Sequence, residues 1–307
     1  MTTVRYIDCT ALMQELLAAH PEAAAQIDVF VGDPDRAQLA AMLADAEVAI
    51  NGHTTMDAEL LAGAPRLRSI VFLGSGPSSY IDMAAAERNG VAVHRIVNYG
   101  DRAIAEHAFA LVMAAARDVA AMDRQVRAGV WSAAEGVELG GKTLGVIGLG
   151  GVGREMVRIA AGFGMNVVAW SRGGVDPALP CAAVGLDELL ATSDVVSLHL
   201  ALTPETRGFL SAGRLTRMKP GSVLVNTARG GLVDEAALVE ALRSGHLRHA
   251  GLDVFDTEPL PNGHPLTALP NVTLTSHAAY KTREATQRLL AAALAIVAAE
   301  RLRLGSV

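Results

Sequence analysis

The chain has 307 residues, of which 51% are hydrophobic, 19% charged and 4% aromatic, and its formal net charge is −6. That length suffices for two globular domains, and an acidic chain without a basic cluster excludes nucleic acid and anionic membranes as expected partners. We predict a cytoplasmic location for three reasons. The two cysteines, Cys9 and Cys181, lack metal-ligand spacing and fit a reducing compartment. The N-terminus lacks the apolar core of a signal peptide, and no apolar run is long enough to span a bilayer.

Strand-like and helix-like segments alternate over the first hundred residues. The predicted strands are Val4–Asp8, Asp28–Val31, Val48–Ile50, Arg68–Leu73 and Ala92–His94, and the predicted helices are Ala11–Ala19, Arg36–Leu43 and Asp82–Asn89. Alternation at this spacing is typical of a parallel sheet with crossover helices. An alanine-rich segment, about Asp101–Ala128, follows. We predict one long helix there, acting as a strut between two domains.

The next segment has the pattern of a dinucleotide-binding unit. A strand at Thr143–Ile147, a glycine turn, a helix to about Phe163 and a strand at Asn166–Trp170 together span about 30 residues. In such a unit the first glycine permits a tight turn, the second lets the backbone approach a pyrophosphate, and the third lets the helix lie close to the strand. The helix N-terminus offers free N–H groups to the anion. The residues predicted to bind a nucleotide cofactor are Gly148, Gly150, Gly151, Val152 and Gly153.

The end of the second strand of this unit bears on the type of cofactor. An NAD site usually has a carboxylate there, which accepts hydrogen bonds from the ribose hydroxyl, but this chain has Ser171 followed by Arg172. Without the carboxylate a 2′-phosphate is not repelled, and Arg172 can pair with that phosphate or stack on adenine. These residues favour NADP(H). NAD(H) stays possible if Arg172 is only a solvated loop residue and the ribose carboxylate lies elsewhere.

Further strands and helices alternate in the remainder of the chain. The predicted strands are Val195–Leu200, Ser222–Asn226, Ala250–Val254 and Val272–Thr275, and the predicted helices are Leu186–Ala191, Ser211–Arg217, Glu235–Ser244 and Arg283–Arg301. No strand follows the last helix, so we expect it to pack on the first domain. Ionisable residues follow three of these strands, namely Arg229, Glu258 and His277. Each alone is commonly structural or solvated, but ligands of a doubly wound sheet bind outside the carboxyl ends of its strands.

The three ionisable residues suit the reduction of a 2-oxo acid. Arg229 can bridge the carboxylate and the carbonyl oxygen with two donors, and His277 can exchange the proton near neutral pH. Glu258 would fix the imidazole ring and favour its protonated form, while NADPH would supply the hydride. No histidine pair has zinc-ligand spacing with a third ligand nearby, so we predict no metal, and His107 has no predicted role.

Long stretches of the chain resemble the D-isomer-specific 2-hydroxyacid dehydrogenase family. The matching stretches are KTLGVIGLGGVG at 142–153, SDVVSLHLALTPETRGFL at 193–210, MKPGSVLVNTARGGLVDEAALVEAL at 218–242, and GLDVFDTEPL with HPLTALPNVTLTSHAAY within 251–280. The family includes D-lactate and phosphoglycerate dehydrogenases, and this chain looks most like its short glyoxylate/hydroxypyruvate reductases. The resemblance implies that Arg229, Glu258 and His277 are catalytic.

The resemblance also implies a fold and further site residues. The expected fold is α/β, with two Rossmann-like domains that contain doubly wound parallel sheets: a discontinuous substrate domain, 1–99 and 281–307, wrapped around a cofactor domain, 100–280. The family usually forms homodimers, with 117–140 as the segment that would reach the partner. The further residues are Gly74, Ser75 and Gly76, whose N–H groups would hold the substrate carboxylate, Leu200, Thr227 and Ala228, which would line the cofactor, and Asp253, which would contact the nicotinamide amide.

Other activities on the same fold stay open. The family resembles nucleotide-sensing corepressors that keep the catalytic-looking residues, and phosphite-type dehydrogenases that keep the same three. Formate-type enzymes are less similar, because they have glutamine at the position of Glu258. Three departures from the family pattern border the expected substrate site. Ser276 stands where proline often precedes the histidine, Pro77-Ser78-Ser79 follows the glycine loop, and Arg95-Ile96-Val97-Asn98 replaces Asn-x-Pro-Gly at the crossing into the second domain. The identity of the 2-oxo acid is therefore not predicted beyond the glyoxylate/hydroxypyruvate class.

Overall fold

Two parallel sheets organise the chain, as the α/β prediction requires. The computed structural model describes residues 2–305. One unit holds the residues up to Gly100 together with those from Thr282 onward, and the other holds Asp101–Lys281. These boundaries lie one residue from the expected 1–99 with 281–307 and 100–280. The assignment of substrate and cofactor to the two units stays a prediction.

The first unit has a five-stranded sheet in which all paired strands are parallel. Its strands are β1 (Val4–Cys9), β2 (Asp28–Val31), β3 (Val48–Asn51), β4 (Ser69–Phe72) and β5 (Ala92–Arg95), in the order β2-β1-β3-β4-β5. Its first helices are α1 (Ala11–Ala18), α2 (Pro21–Ala24), α3 (Arg36–Leu43), α4 (Ala58–Ala62) and α5 (Met83–Arg88). Polar N-caps start four of them, since the side chains of Thr10, Asp35, Asp57 and Asp82 each accept a backbone N–H three residues on.

The second unit has a seven-stranded parallel sheet. Its helices are α6 (Asp101–Ala116), α7 (Val119–Arg127), α8 (Gly151–Gly162), α9 (Leu186–Thr192), α10 (Ala212–Leu215) and α11 (Glu235–Arg243). Its strands are β6 (Thr143–Ile147), β7 (Asn166–Trp170), β8 (Ala182–Ala183), β9 (Val195–Leu198), β10 (Ser222–Asn226), β11 (Leu247–Leu252) and β12 (Val272–Leu274). The strand order is β12-β11-β10-β9-β6-β7-β8, so the chain changes direction across the sheet beside β6. Such a point is where doubly wound sheets bind ligands.

The predicted long helix over Asp101–Ala128 is wrong in two respects. The structure has two helices there, α6 and α7, because Asp118 adopts a left-handed conformation with φ of +50°. The Asp118 carboxylate accepts a hydrogen bond from Arg248 Nη2 at 3.2 Å and lies 3.5 Å from His249 Nδ1, and these contacts hold the break. Both helices also belong to the second unit, so neither forms a strut that belongs to both domains.

The final helix, α12 (Arg283–Gly305), completes the first unit. Its buried residues Leu289, Leu290, Ala293 and Val297 join a hydrophobic cluster with residues of β1, β3 and β4. A second cluster, which includes Leu39, Leu43 and Leu61, comes from α3 and α4 and packs with other residues of the same strands. The helix therefore packs on the first unit, as the sequence analysis expects. No helix within residues 2–305 is both long and apolar enough to cross a membrane.

Candidate functional site

Three adjacent strands of the second sheet bring the predicted catalytic residues to one edge. In the registers of β10, β11 and β12, Asn226 lies opposite Leu252, which lies opposite Leu274. These are the last residues of their strands, so the loops that follow all leave from the carboxyl edge of the sheet. The loops carry Arg229, Glu258 and His277 respectively.

His277 and Glu258 form a direct pair. Nδ1 of His277 lies 2.6 Å from Oε2 of Glu258, and the two side chains are 31% and 30% exposed. Burial alone would raise the pKa of Glu258, but hydrogen bonds from the His277 ring and from the Phe255 N–H hold that pKa below its usual range. The carboxylate is therefore ionised and accepts the Nδ1 hydrogen, which leaves Nε2 of the ring for another partner.

Arg229 lies on a tight loop that packs against the loop of Glu258. The side-chain amide of buried Asn226 donates to the Arg229 carbonyl at 2.9 Å and accepts the Ala228 N–H at 3.0 Å, which fixes the start of the loop. A Cβ at Gly230 would collide with the backbone of Phe255. Nη1 of half-buried Arg229 donates to the Ala228 carbonyl at 2.7 Å. The guanidinium charge also contributes to the lowered pKa of Glu258, after the His277 and Phe255 hydrogen bonds.

Asp253 shapes the loop that carries His277. Its fully buried carboxylate accepts hydrogen bonds from the Thr275 hydroxyl at 2.5 Å and from the N–H groups of Ala278 and Ala279, each at 2.9 Å. Its carbonyl accepts the His277 N–H at 2.8 Å. Both carboxylate oxygens are thus engaged within the protein. The predicted contact between Asp253 and a nicotinamide amide stays a prediction.

The structure adds a residue to this loop that the sequence analysis did not identify. Nε2 of His107, on α6, lies 3.0 Å from the Thr275 hydroxyl and 3.6 Å from Oδ1 of Asp253. The sequence separation from Thr275 is 168 residues, and His107 falls within a helix that reads as ordinary packing. No sequence pattern could have joined the two.

The glycine turn after β6 has the geometry that a dinucleotide needs. Gly148 has φ of +97°, and a Cβ there would collide with the His199 carbonyl, while a Cβ at Gly153 would collide with the Gly148 carbonyl. Apart from the adjoining residues of the chain, no atom of residues 2–305 lies within 4 Å of the Cβ position of Gly150, which is the N-cap of α8. The backbone there is open to an anion at the helix N-terminus, so the turn fits a pyrophosphate. Gly151 and Val152, expected in the glycine turn, lie instead in the first turn of α8, and their contact with a cofactor stays a prediction.

Other predicted cofactor residues lie on the same carboxyl edge. Buried Thr227 follows β10, and its hydroxyl has no hydrogen-bond partner among the described residues, which fits a site that a polar ligand group completes. Partly buried Ala228 comes next, and Leu200 follows β9. Ser171 and exposed Arg172 follow β7 in a tight turn. The part of the chain from residue 2 to residue 305 contains no group of three His, Cys, Asp or Glu side chains arranged to hold a metal ion.

The predicted carboxylate-binding loop, Gly74-Ser75-Gly76, belongs to the first unit. It follows β4, at the carboxyl edge of that sheet. The Gly74 N–H donates to the Phe72 carbonyl at 2.9 Å, and the Gly74 carbonyl accepts the Ile96 N–H at 3.0 Å. Within the described chain, the N–H groups of Ser75 and Gly76 donate to no backbone carbonyl. A carboxylate held by this loop would therefore use Ser75 and Gly76 rather than Gly74.

Comparison with known proteins identifies the family of this chain. The model of the D-isomer specific 2-hydroxyacid dehydrogenase NAD binding domain matches residues 109–279. A D-3-phosphoglycerate dehydrogenase of Mycobacterium leprae is 43% identical over 86% of this chain and 51% of its own length, so the chain spans about half of that relative. A glyoxylate reductase of Aeropyrum pernix is 42% identical over 80% of this chain and 76% of its own length.

A solved structure extends the similarity over the whole fold. The pyruvate reductase of Chlamydomonas reinhardtii is 30% identical to this chain and superposes with a TM-score of 0.88, covering 98% of this chain and 97% of its own. The family model spans more than half of the chain, and the residues at the carboxyl edge of the second sheet lie within or beside that span. The chain belongs to the D-isomer specific 2-hydroxyacid dehydrogenase family.

Proposed function

We propose that the protein is a nicotinamide-dependent oxidoreductase that interconverts small 2-oxo acids and D-2-hydroxy acids. The observation that carries this proposal is the 2.6 Å pair of Glu258 and His277 Nδ1, at the same sheet edge as the glycine turn. The pair orients a ring whose Nε2 is the atom for proton exchange with a substrate oxygen. A bound nicotinamide supplies or accepts the hydride.

Each of the three residues has a distinct part in the proposed reaction. Arg229 holds the substrate by donating two hydrogen bonds, to the carboxylate and to the carbonyl oxygen, and so directs the carbonyl carbon. His277 gives its Nε2 proton to the carbonyl oxygen as that oxygen gains charge, and takes the proton back in the reverse direction. Glu258 holds the ring through Nδ1 and stabilises the imidazolium form.

We propose glyoxylate or hydroxypyruvate as the substrate class. The loops after β3 and β4, residues 51–56 and 72–80, contain neither lysine nor arginine, and their His53 already lies 2.6 Å from Asp33 Oδ1, so they offer no free permanent cation to a second anionic group. The Ser75 and Gly76 N–H groups suit a single carboxylate. The 43% identity with a D-3-phosphoglycerate dehydrogenase favours a phosphorylated 2-oxo acid as the second candidate.

A substrate panel tests this proposal. The absorbance of NADPH, and separately NADH, is followed with glyoxylate, hydroxypyruvate, 3-phosphohydroxypyruvate, pyruvate and phenylpyruvate. We expect the fastest oxidation with one of the first two. The highest kcat/KM with 3-phosphohydroxypyruvate would instead support the phosphorylated class. Tight nucleotide binding without turnover of any 2-oxo acid would favour the corepressor-like alternative, and NAD reduction by phosphite would favour the phosphite-type one.

Replacing the substrate-binding arginine separates its role from cofactor binding. We expect Arg229→Ala to lower kcat/KM by about 10²-fold or more, because the substrate loses both charge-assisted hydrogen bonds, with NADPH affinity nearly unchanged. Arg229→Lys keeps the charge but not the planar fork, so it should recover only part of the loss. Steady-state kinetics and NADPH titration by fluorescence measure the two effects. An equal fall in NADPH affinity would contradict the assigned role.

The proposed preference for NADP(H) rests on Ser171 and Arg172. Exchanging them for Asp and Pro should shift the ratio of kcat/KM values toward NADH, because a carboxylate repels the 2′-phosphate and accepts the ribose hydroxyl. Glu205 lies near Arg172, whose charge contributes to the lowered pKa of that glutamate after a hydrogen bond from Thr203. An unchanged ratio of kcat/KM for NADPH and NADH in the double variant would mean that residues other than Ser171 and Arg172 contact the 2′-phosphate.

We also propose a homodimer in the cytoplasm. Exposed apolar side chains on α7 and the segment after it support the dimer, namely Val119, Val126, Val130 and Trp131, the last of which is 92% exposed. Two free cysteines, Cys9 and Cys181, support a reducing compartment. Sedimentation analysis tests the dimer, and a monomer at micromolar concentration would exclude these side chains as a strong interface.

A further inference from the structure

We propose that His107 is a positioning residue that holds the His277 loop through Thr275 and Asp253. The proposal rests on the function proposed above, since it assumes that His277 exchanges the proton. It adds a residue of α6, outside the three strand-end loops, to the parts of the molecule on which turnover depends.

The direction of the hydrogen bonds follows from the buried carboxylate. Oδ1 of Asp253 accepts the hydrogen of the Thr275 hydroxyl at 2.5 Å, so that hydroxyl can only accept from His107. Nε2 of His107, 3.0 Å away, must therefore carry a hydrogen and donate it. The result is a chain of two donors, His107 to Thr275 and Thr275 to Asp253.

Asp253 depends on this chain because its charge is fully buried. Within residues 2–305, His107 is the only side chain able to form a cation that lies within 4.0 Å of the carboxylate, at 3.6 Å. Otherwise the carboxylate is stabilised by the Thr275 hydroxyl and two backbone N–H groups. Without the His107 donor, the Thr275 hydroxyl is polarised less and its hydrogen bond to the buried carboxylate weakens, a cost that the loop can relieve by moving.

A change in the backbone of the His277 loop would displace the catalytic imidazole. His277 has a left-handed backbone with φ of +50°, which is unfavourable for a residue with a Cβ and persists here because Asp253 bonds to residues 275, 277, 278 and 279. Relaxation of that backbone would swing the imidazole away from Glu258 and from the substrate oxygen. A misplacement of about 1 Å can cost about 10²-fold in rate.

Substitutions of His107 separate its hydrogen bond from its volume. Glutamine carries an amide N–H that can reach the position of Nε2, whereas leucine fills similar space without a donor. We expect His107→Leu to lower kcat by about 10- to 100-fold, with smaller changes in substrate KM and NADPH affinity. His107→Gln should restore most of the lost kcat. The matched control is His20→Leu, at an exposed histidine of the first unit whose side chain caps no helix, and it should match wild type.

Thr275 provides an independent arm of the test. Thr275→Val removes the relay hydroxyl at constant shape and should lower kcat as His107→Leu does, while Thr275→Ser should keep it. The double variant His107→Leu/Thr275→Val should be no slower than the worse single variant, because both act through one chain. Thermal melting of each variant confirms that it is folded during the assay.

The outcomes distinguish this inference from the proposed function. Wild-type kcat in His107→Leu, equal losses in the Leu and Gln variants, or fully additive losses in the double variant would each overturn the positioning role. His277→Ala, measured alongside, tests the underlying function: if it retains wild-type turnover, the proposed reaction is wrong whatever His107 does. An inactive His277→Ala together with an unimpaired His107→Leu would reject only the inference.

Discussion

Glu258 is negatively charged throughout the pH range in which a histidine titrates. Burial opposes that charge, but the hydrogen bonds from the His277 ring and the Phe255 N–H lower the pKa of Glu258 from 4.5. A carboxyl group with a lowered folded pKa adds stability above its unfolded pKa, and that stability is lost as the pH falls through the folded value. Glu258 is therefore ionised from neutral pH down to 4.5, and a change in activity in that range does not arise from protonation of this carboxylate.

Neutralising this carboxylate gives a residue-scale prediction. We expect Glu258→Gln to lower kcat by about 10²-fold or more, because the ring loses both its orientation and the charge that stabilises the imidazolium. The pH at which reductase activity is half-maximal should also move lower, since the neutral amide favours the imidazolium less. Rate measurements across pH check both effects. An unshifted profile at reduced kcat would mean that Glu258 only orients the ring.

The sequence anticipated some of these residues and not others. Arg229, Glu258 and His277 could be grouped because the carboxyl ends of parallel strands share one edge, and strand ends are visible in the hydrophobic pattern. His107 could not, because its partner is 168 residues away and the direction of a helical side chain depends on the packing around it. The hydrogen bond from the Gly74 N–H to the Phe72 carbonyl could not be predicted from the sequence either, since it depends on the local turn.

At the scale of elements, the glycines before and within α8 serve two different purposes, close packing and access for a ligand. A Cβ at Gly153 would collide with the Gly148 carbonyl, whereas a Cβ at Gly150 would meet no atom within 4 Å and has a φ of −67° that alanine tolerates. Gly153 is therefore required for packing. Gly150 is free of that requirement, so its lack of a side chain serves the approach of a ligand.

This contrast predicts different effects of the same substitution. Gly153→Ala should lower the free energy of unfolding by about 1–3 kcal/mol through overpacking. Gly150→Ala should keep the wild-type melting temperature but bind NADPH at least tenfold more weakly, which is about 1.4 kcal/mol. Gly162→Ala, in the same helix and without a neighbour within 4 Å, is the matched control and should preserve both. Normal NADPH affinity in Gly150→Ala would place the pyrophosphate elsewhere.

Helix boundaries were harder to predict than helices. The segment from Asp101 to Ala128 contains no glycine or proline, so its pattern reads as continuous. The break at Asp118 comes from Arg248 and His249, which begin a strand far along the chain. Short elements such as β8, with two residues, have too few positions for any periodicity.

At the scale of the whole molecule, one polar cluster joins the last helix, α12, to the sheet of the first unit. Buried Glu300 on α12 accepts a hydrogen bond from Ser69 on β4, pairs with Arg303 at 2.6 Å and lies 3.4 Å from His94 on β5. The Arg303 hydrogen bond is the chief cause of a pKa for Glu300 below 4.5, and Ser69 and His94 lower it further against the effect of burial. The cluster thus stabilises the fold while Glu300 is ionised.

Removing that charge should weaken the attachment of α12. We expect Glu300→Ala to lower the free energy of unfolding by about 1–3 kcal/mol at neutral pH, because the Ser69 hydroxyl loses its acceptor and Arg303 and His94 lose a neighbouring carboxylate. The difference in the free energy of unfolding between wild type and Glu300→Ala should shrink as the pH falls below 4.5, since protonation of Glu300 weakens the same contacts. Denaturant unfolding at several pH values measures both. A constant difference at all pH values would show that packing, and not charge, accounts for the loss.

The place of α12 in the chain has a consequence for synthesis on the ribosome. The second unit is one continuous segment, whereas the first unit's strands precede that segment and its 23-residue helix α12 follows it. Until α12 is made, the residues of β1, β3 and β4 that pack against Leu289, Leu290, Ala293 and Val297 lack that cover. The first unit therefore completes its core only after the whole second unit has been synthesised, and its sheet stays partly uncovered during that interval.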